Sequence, residues 1–212
     1  MTIYDVTTDS SDGVARAVRA LRRGELVVLP TDTVYGIAAD AFSPHAVADL
    51  LAAKGRERDM PVPVLVGSWR GLDGLAQEVT PTMRRLVEAF WPGPLTLIVR
   101  AAPSLAWDLG QTRGTVAVRM PLHPVALEIL TETGPLAVSS ANLTGHPPAT
   151  DAASAQEQLG DSIRVYLDGG SSGEPVASTI LDLTGDVPQV RRTGALSLED
   201  LQAVLPEAEG PR

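Results

Sequence analysis

The stretch Leu26-Val27-Val28-Leu29-Pro30-Thr31-Asp32-Thr33-Val34-Tyr35-Gly36 passes from an unbroken apolar run into a hydroxyl-rich turn. A run of strand length without polar alternation is expected of a central strand buried on both faces, which makes this an α/β chain. The chain leaves the strand at Pro30, and small polar residues follow at the strand end. Downstream, Lys54-Gly55-Arg56-Glu57-Arg58-Asp59 forms a cationic, glycine-containing loop closing a predicted helix. Later still, the apolar segment from Pro135 to Val138 opens into Ser139-Ser140-Ala141-Asn142. Together these read as three walls of an anion-binding site, because ligands of open α/β sheets gather at strand ends.

Outward from this core, Val14, Ala17, Val18 and Leu21 mark one face of a helix capped near Asp9 to Ser11 and ended by Gly24. Ser43-Pro44 and Thr80-Pro81 each place a cap before a proline at the first helical position. The first of these helices runs to Gly55, and the second reaches Phe90 and closes at Trp91-Pro92-Gly93-Pro94. Further helices are expected from Pro124 to Thr131, Ala152 to Leu159 and Leu198 to Leu205. Strands are expected at Val62 to Val66, Leu95 to Val99, Thr115 to Val118, Leu136 to Val138, Val165 to Leu167, Ser178 to Asp182 and Val187 to Arg191. Pro63 suggests an edge or bulge in the first of them. Alternating strands and helices without repeats predict a mixed sheet.

A chain of 212 residues, 44% apolar and 20% charged, supports one sizeable core. One domain is expected over residues 1–205, with a polar tail at 206–212 that frays. The sequence lacks an apolar run of spanning length and a signal pattern, so the reading is no membrane association and a cytoplasmic location. Absence of cysteine excludes disulfides, thiol nucleophiles and cysteine-bound zinc, and three histidines argue against a multi-histidine metal site. The net charge of −9 argues against a surface that coats nucleic acid. The arginines at 16, 19, 22 and 23 read as solvated helix surface.

Phosphate-loop, dinucleotide-loop and serine-elbow motifs are all missing. On spacing alone, a turn hydroxyl capping its own backbone accounts for Thr33 at least as well as a ligand contact, and the same holds for Ser140 and Asn142. Arg119 ends the strand Thr115-Val116-Ala117-Val118, where its guanidinium suits a carboxylate or phosphate; a structural salt bridge fits equally well. Arg56 and Arg58 lie beside Gly55, whose lack of a side chain would let backbone approach a phosphate; an exposed charged loop is the plainer reading. Lys54 at a helix C-terminus is also explained by the helix dipole alone. These residues on their own indicate an enzyme for a small anionic ligand.

The motifs Leu29-Pro30-Thr31-Asp32-Thr33-Val34-Tyr35-Gly36, Lys54-Gly55-Arg56, Trp91-Pro92-Gly93-Pro94-Leu95-Thr96, Val118-Arg119-Met120-Pro121, Ser139-Ser140-Ala141-Asn142 and Ser178-Thr179-Ile180 occur in the order and spacing of the YrdC-like family. The resemblance extends from about Asp12 to Leu205. It implies a twisted mixed sheet with flanking helices and an open concave ligand-binding face. It also implies a nucleotidyltransferase that converts L-threonine, bicarbonate and ATP to threonylcarbamoyl-AMP and pyrophosphate, with Mg2+ accompanying ATP. The product would serve threonylcarbamoyladenosine modification of tRNA through separate transfer proteins, and direct tRNA binding is a further expectation. By position, Thr33, Arg119, Val138 and Ser178 would hold threonine. Lys54, Arg56, Thr115, Ser140, Asn142 and Arg192 would address the nucleotide, with Lys54 and Arg56 acting in catalysis. The chain departs from the pattern at Met60, where relatives carry Lys or Asn, at Glu57, and at Thr193-Gly194. Arg58 is expected to supply the phosphate contact that Met60 is unable to make. The chain also stops where longer relatives continue into a linker and second domain, so a lid formed by that linker is not expected. The alternative is an RNA-binding module of the same fold that makes no adenylate.

Overall fold

A computed structural model describes residues 2–174 and 176–211; Met1, Pro175 and Arg212, the last residue of the expected tail, lie outside it. Ten strands form one mixed sheet in the order β1-β8-β2-β3-β7-β4-β6-β5-β9-β10. They are β1 (Thr2–Asp5), β2 (Val27–Leu29), β3 (Gly36–Asp40), β4 (Val64–Leu65), β5 (Leu95–Arg100), β6 (Thr115–Arg119), β7 (Leu136–Ser140), β8 (Val165–Asp168), β9 (Thr179–Asp182) and β10 (Gln189–Arg192). β8 runs parallel to both β1 and β2, β4 to β6 and β5 to β9, while the other pairs are antiparallel.

Among the described residues seven α-helices flank the sheet: α1 (Ser11–Arg22), α2 (Pro44–Lys54), α3 (Gly71–Leu75), α4 (Pro81–Phe90), α5 (Pro124–Thr133), α6 (Ala152–Leu159) and α7 (Leu198–Val204). The strand period of two divides the core. Val27, Leu29, Ala38, Leu136 and Val138 pack with α1 and α5, whereas Val28, Ile37, Ala39 and Ala137 pack with α2 and α6 on the other face. β2 is buried along its whole length, as its unbroken apolar sequence requires. Ser43 and Thr80 cap α2 and α4 through the N–H groups of Ala46 and Met83. Gly55 ends α2 in the left-handed region at φ 58°, and the space around its missing Cβ is empty. Helix termination therefore explains this glycine.

Several elements differ from expectation. The segment Val62 to Val66 contributes only Val64 and Leu65, and β4 lies inside the sheet between β7 and β6, with no edge there. Pro63 is tolerated because it precedes the ladder, where its carbonyl accepts from Val138 N at 2.9 Å. β3 was not expected from the sequence, since a glycine followed by alanines has weak strand preference. Gly36 is required there: a Cβ would come within 2.6 Å of Val138 Cγ1. β1 and α3 likewise carry no sequence pattern strong enough to predict them. The tail does not fray over its described part. Val190 N donates to Glu209 O and Glu209 N to Pro188 O, both at 2.9 Å, and Ala208 is buried. Backbone pairing along β10 holds it despite its polar composition.

Candidate active site

Arg119 closes β6, and its side chain is almost fully buried. It is held by three parts of the chain. Nε donates to Gly93 O at 3.0 Å, Nη1 to Thr33 Oγ1 at 2.8 Å and Nη2 to Asp32 Oδ1 at 2.6 Å. Asp32 in turn accepts from Leu122 N at 2.9 Å. The turn after β2 is therefore closed onto the end of β6 by a buried ion pair. A guanidinium carries five N–H groups, so with these three engaged two remain available to a ligand. Burial lowers the Arg119 pKa and the Asp32 charge opposes that shift.

Two further arginines face the same space. Arg56 reaches Ser139 Oγ at 3.1 Å, Met60 O at 2.9 Å and Pro61 O at 3.2 Å. Arg192 grips Ser178 through its carbonyl, at 3.0 and 2.8 Å, and its Oγ, at 3.1 Å. Burial lowers the pKa of both. Arg119 and then Arg56 lower that of Arg192 further, which places the three guanidiniums within mutual repulsion. Clustered cations of this kind cost stability unless an anion joins them.

Lys54, the last residue of α2, is 3% exposed and points away from the solvated helix end. Its ammonium donates to Ser140 O at 2.5 Å and Asn142 O at 2.6 Å, with Asn142 Oδ1 at 3.5 Å. Asn142 Nδ2 donates to Leu143 O and His146 O, both at 2.8 Å. In this structure Lys54 and Asn142 fix the loop after β7, while the Ser140 side chain stands half-buried at its mouth. Burial, reinforced by Arg56, pushes the Lys54 pKa down to about 8.

Of the other expected site residues, Val138 sits within β7, and Ser178 immediately precedes β9 with its hydroxyl 2.8 Å from that of Thr96. Thr115 lies at the far end of β6, roughly 13 Å from Arg119 at about 3.3 Å per residue. Its hydroxyl donates to Thr112 O at 2.8 Å. Arg58 does not join the cluster: Nη2 lies 2.5 and 2.6 Å from the two carboxylate oxygens of Asp108. Met60 does not disturb Arg56, which uses only the Met60 carbonyl. Thr31 and Ser139, read in the sequence only as polar residues at strand ends, stand with this group, and so do Asp32 and Thr96, which the sequence reading did not single out although both lie inside the family motifs. For Asp32 the signal was a carboxylate adjacent to Thr33 in a turn destined to meet a buried arginine.

Gly194 pins the far wall. Its N–H donates to Thr179 Oγ1 at 2.9 Å, and an added Cβ would collide with Ala177 O and approach Ser178 C to 2.6 Å. Gly194→Ala is expected to cost about 1–3 kcal/mol from overpacking and to displace Ser178 and Arg192 together. Urea unfolding and ligand titration on the same sample check this.

Among the described residues no group of three or more His, Cys, Asp or Glu could hold a metal ion. Neither the apolar hollow lined by Trp69, Leu72, Val87 and Trp91 nor the polar groove lined by Arg23, Ser43, His45 and Arg164 contains any of these side chains. The site is defined by its converging donors.

The arrangement has counterparts among known proteins. Residues 19–194 match the Sua5, YciO and YrdC family profile, described as "Telomere recombination". A Mycobacterium tuberculosis protein provisionally named a threonylcarbamoyl-AMP synthase is 59% identical over 195 residues, covering 92% of this chain and 90% of its own length. The Bacillus subtilis threonylcarbamoyl-AMP synthase is 39% identical over 207 residues, covering 95% of this chain and 60% of its own. The solved structure of Pyrococcus abyssi Sua5 complexed with L-threonine superposes with a TM-score of 0.94 at 35% identity, over 99% of this chain and 62% of that one. The chain belongs to the Sua5, YciO and YrdC family.

Proposed function

We propose that the protein is a threonylcarbamoyl-AMP synthase, a nucleotidyltransferase joining L-threonine, bicarbonate and ATP. The observation that carries this reading is the buried Arg119, whose two uncommitted N–H groups are left for a carboxylate beside three more cations. A ligand with a carboxylate at one end and phosphates at the other matches that charge pattern. Homologues bearing the synthase name, and the threonine complex of one of them, support it.

In this reading Arg119, Thr33, Val138 and Ser178 hold threonine, and Arg56, Arg192, Ser140, Lys54 and Asn142 surround the phosphates. Thr115 lies toward the nucleoside, at the far end of an extended ATP. Bicarbonate supplies carbon dioxide to the threonine amine, the C–N bond of a carbamate forms, and the proton lost by the amine leaves with the hydroxide of bicarbonate as water. A carbamate oxygen then attacks the α-phosphorus, the bond to the β-phosphate oxygen breaks, and pyrophosphate departs. The protein orients the reactants and offsets the charge growing on the leaving phosphates. ATP enters as its magnesium complex in this proposal, since Asp32 is spent on Arg119 and Leu122 N. Transfer of the product to tRNA, by separate proteins in the cytoplasm, belongs to the same proposal. No helix among the described residues is long and apolar enough to cross a membrane.

The test is pyrophosphate release from ATP, with product detected by mass. Dependence on both threonine and bicarbonate is expected, and release indifferent to threonine would refute the reading. The RNA-binding alternative is not favoured, because the cations are buried among protein acceptors instead of being displayed along a surface.

The Lys54 pKa adds a pH prediction. Its folded value, about 8, lies below the ordinary 10.5. Its charge is therefore lost first in the folded state, and ATP affinity should fall as pH rises through about 8. The linkage for folding has the opposite sign. Between about 8 and 10.5 the unfolded chain binds more protons, so this group's destabilising contribution, full below 8, is relieved as pH rises. Isothermal titration and denaturant melts across that range should diverge.

A further inference from the structure

The hydrogen-bond network behind the cleft fixes which way two of its hydroxyl groups, those of Thr33 and Ser178, face. Thr31 Oγ1 donates its only proton to Val34 O at 2.7 Å and accepts from Thr33 N at 3.2 Å. At the 3.1 Å contact between Thr31 and Thr33, Thr33 must therefore be the donor. Thr33 Oγ1 also accepts from Arg119 Nη1. Its proton is spent, and what it has left is a lone pair.

Ser178 is wired the other way. Thr96 is 3% exposed, and its only hydroxyl contact among the described residues is Ser178 Oγ at 2.8 Å. If Ser178 donated across that contact, the Thr96 proton would be buried without an acceptor, which is costly. Thr96 is therefore the donor. Ser178 Oγ accepts from Thr96 and from Arg192 Nη2 at 3.1 Å, so both its lone pairs are used and its own proton is directed at neither of them.

We infer that Thr31 and Thr96 are positioning residues that give the two cleft hydroxyls opposite polarity, Thr33 presenting a lone pair to a substrate N–H and Ser178 presenting a proton to a substrate oxygen. The identity of that substrate as an amino acid rests on the proposed function; the polarity does not. An amino acid meets both demands, with its amine against Thr33 and an oxygen of its carboxylate or side chain against Ser178. The same polarity disfavours a ligand turned end for end, because an ammonium at Ser178 would face a donor.

Two experiments test this. Neutron diffraction from deuterium-exchanged crystals of the unliganded protein should show the Thr96 deuteron directed at Ser178 and the Thr33 deuteron directed at Thr31. A Ser178 deuteron directed at Thr96 would overturn the inference. In calorimetry, Thr96→Val should weaken L-threonine binding about fivefold, the scale of one hydrogen bond, with ATP affinity unchanged, and Thr96→Ser should restore it. Equal behaviour of Thr96→Ser and Thr96→Val would overturn the positioning role, since packing would then explain the loss. Absence of threonine binding by the unmodified protein would instead remove the proposed function, leaving the neutron result to decide the polarity.

Discussion

Arg119→Ala is expected to lower kcat/KM for threonine by about 10²–10³-fold, the range for truncating a buried charge partner, while ATP affinity changes little. The same substitution strands Asp32, nearly buried and paired with Arg119 at 2.6 Å. Breaking such a pair from one side costs about 3–5 kcal/mol, mostly from the charge left behind. A stability loss alone would therefore say nothing about substrate. The double variant Asp32→Asn with Arg119→Ala separates the two effects. It should recover much of the stability, because no buried charge remains, yet stay as defective toward threonine as the single variant. Recovery of threonine use along with stability would assign Arg119 a folding role only. Urea unfolding and threonine-dependent pyrophosphate release are the two measurements.

Lys54→Met should behave oppositely, losing function while keeping the fold. Lowering the pKa from 10.5 to about 8 means that holding this ammonium inside costs about 3 kcal/mol, a cost that methionine removes. Against this, the carbonyls of Ser140 and Asn142 lose their donor, at about 1–3 kcal/mol each. The terms are similar in size, so the midpoint of unfolding should move little. The reaction has no such offset. Loss of a preorganised charge, together with release of the Ser140 to His146 loop, should reduce kcat/KM for ATP by about 10²-fold or more. A large fall in stability with intact ATP turnover would remove Lys54 from the site.

Motif residues pointed to side chains that the fold brings together, but not to how each of them is held. Lys54 illustrates why. Its place at a helix end suggested either a dipole contact or a phosphate ligand, whereas its donors reach main-chain oxygens of Ser140 and Asn142, across 86 and 88 residues of chain. Pairings of that separation leave no periodic trace. Gly55 carried two readings in the sequence, a helix stop and an approach point for phosphate, and its φ of 58° supports the first. Strands with continuous β-branched or leucine sequence, such as β2 and β5, were legible. β3 was not, because its alanines and glycine are selected by close packing against Val138 and not by intrinsic preference. The pairing of Arg58 with Asp108 was not legible, because Asp108 stands in a loop with no pattern of its own.

The place of β1 in the strand order has a consequence for how the molecule is made. Among the described residues Thr2 to Asp5 pair only with Val165 to Asp168, and β2 also needs β8 as its parallel partner. During synthesis the first strand leaves the ribosome with no mate until most of the polypeptide has been translated. Such long-range, parallel pairing is slow and leaves an apolar strand edge open meanwhile. Arg56 likewise cannot meet Ser139 until β7 is in place, and the pairing of Arg192 with Ser178 waits for β9 and β10. Competence to bind substrate should therefore be the last property a nascent chain acquires, and ligand addition should rescue yield only after translation is complete.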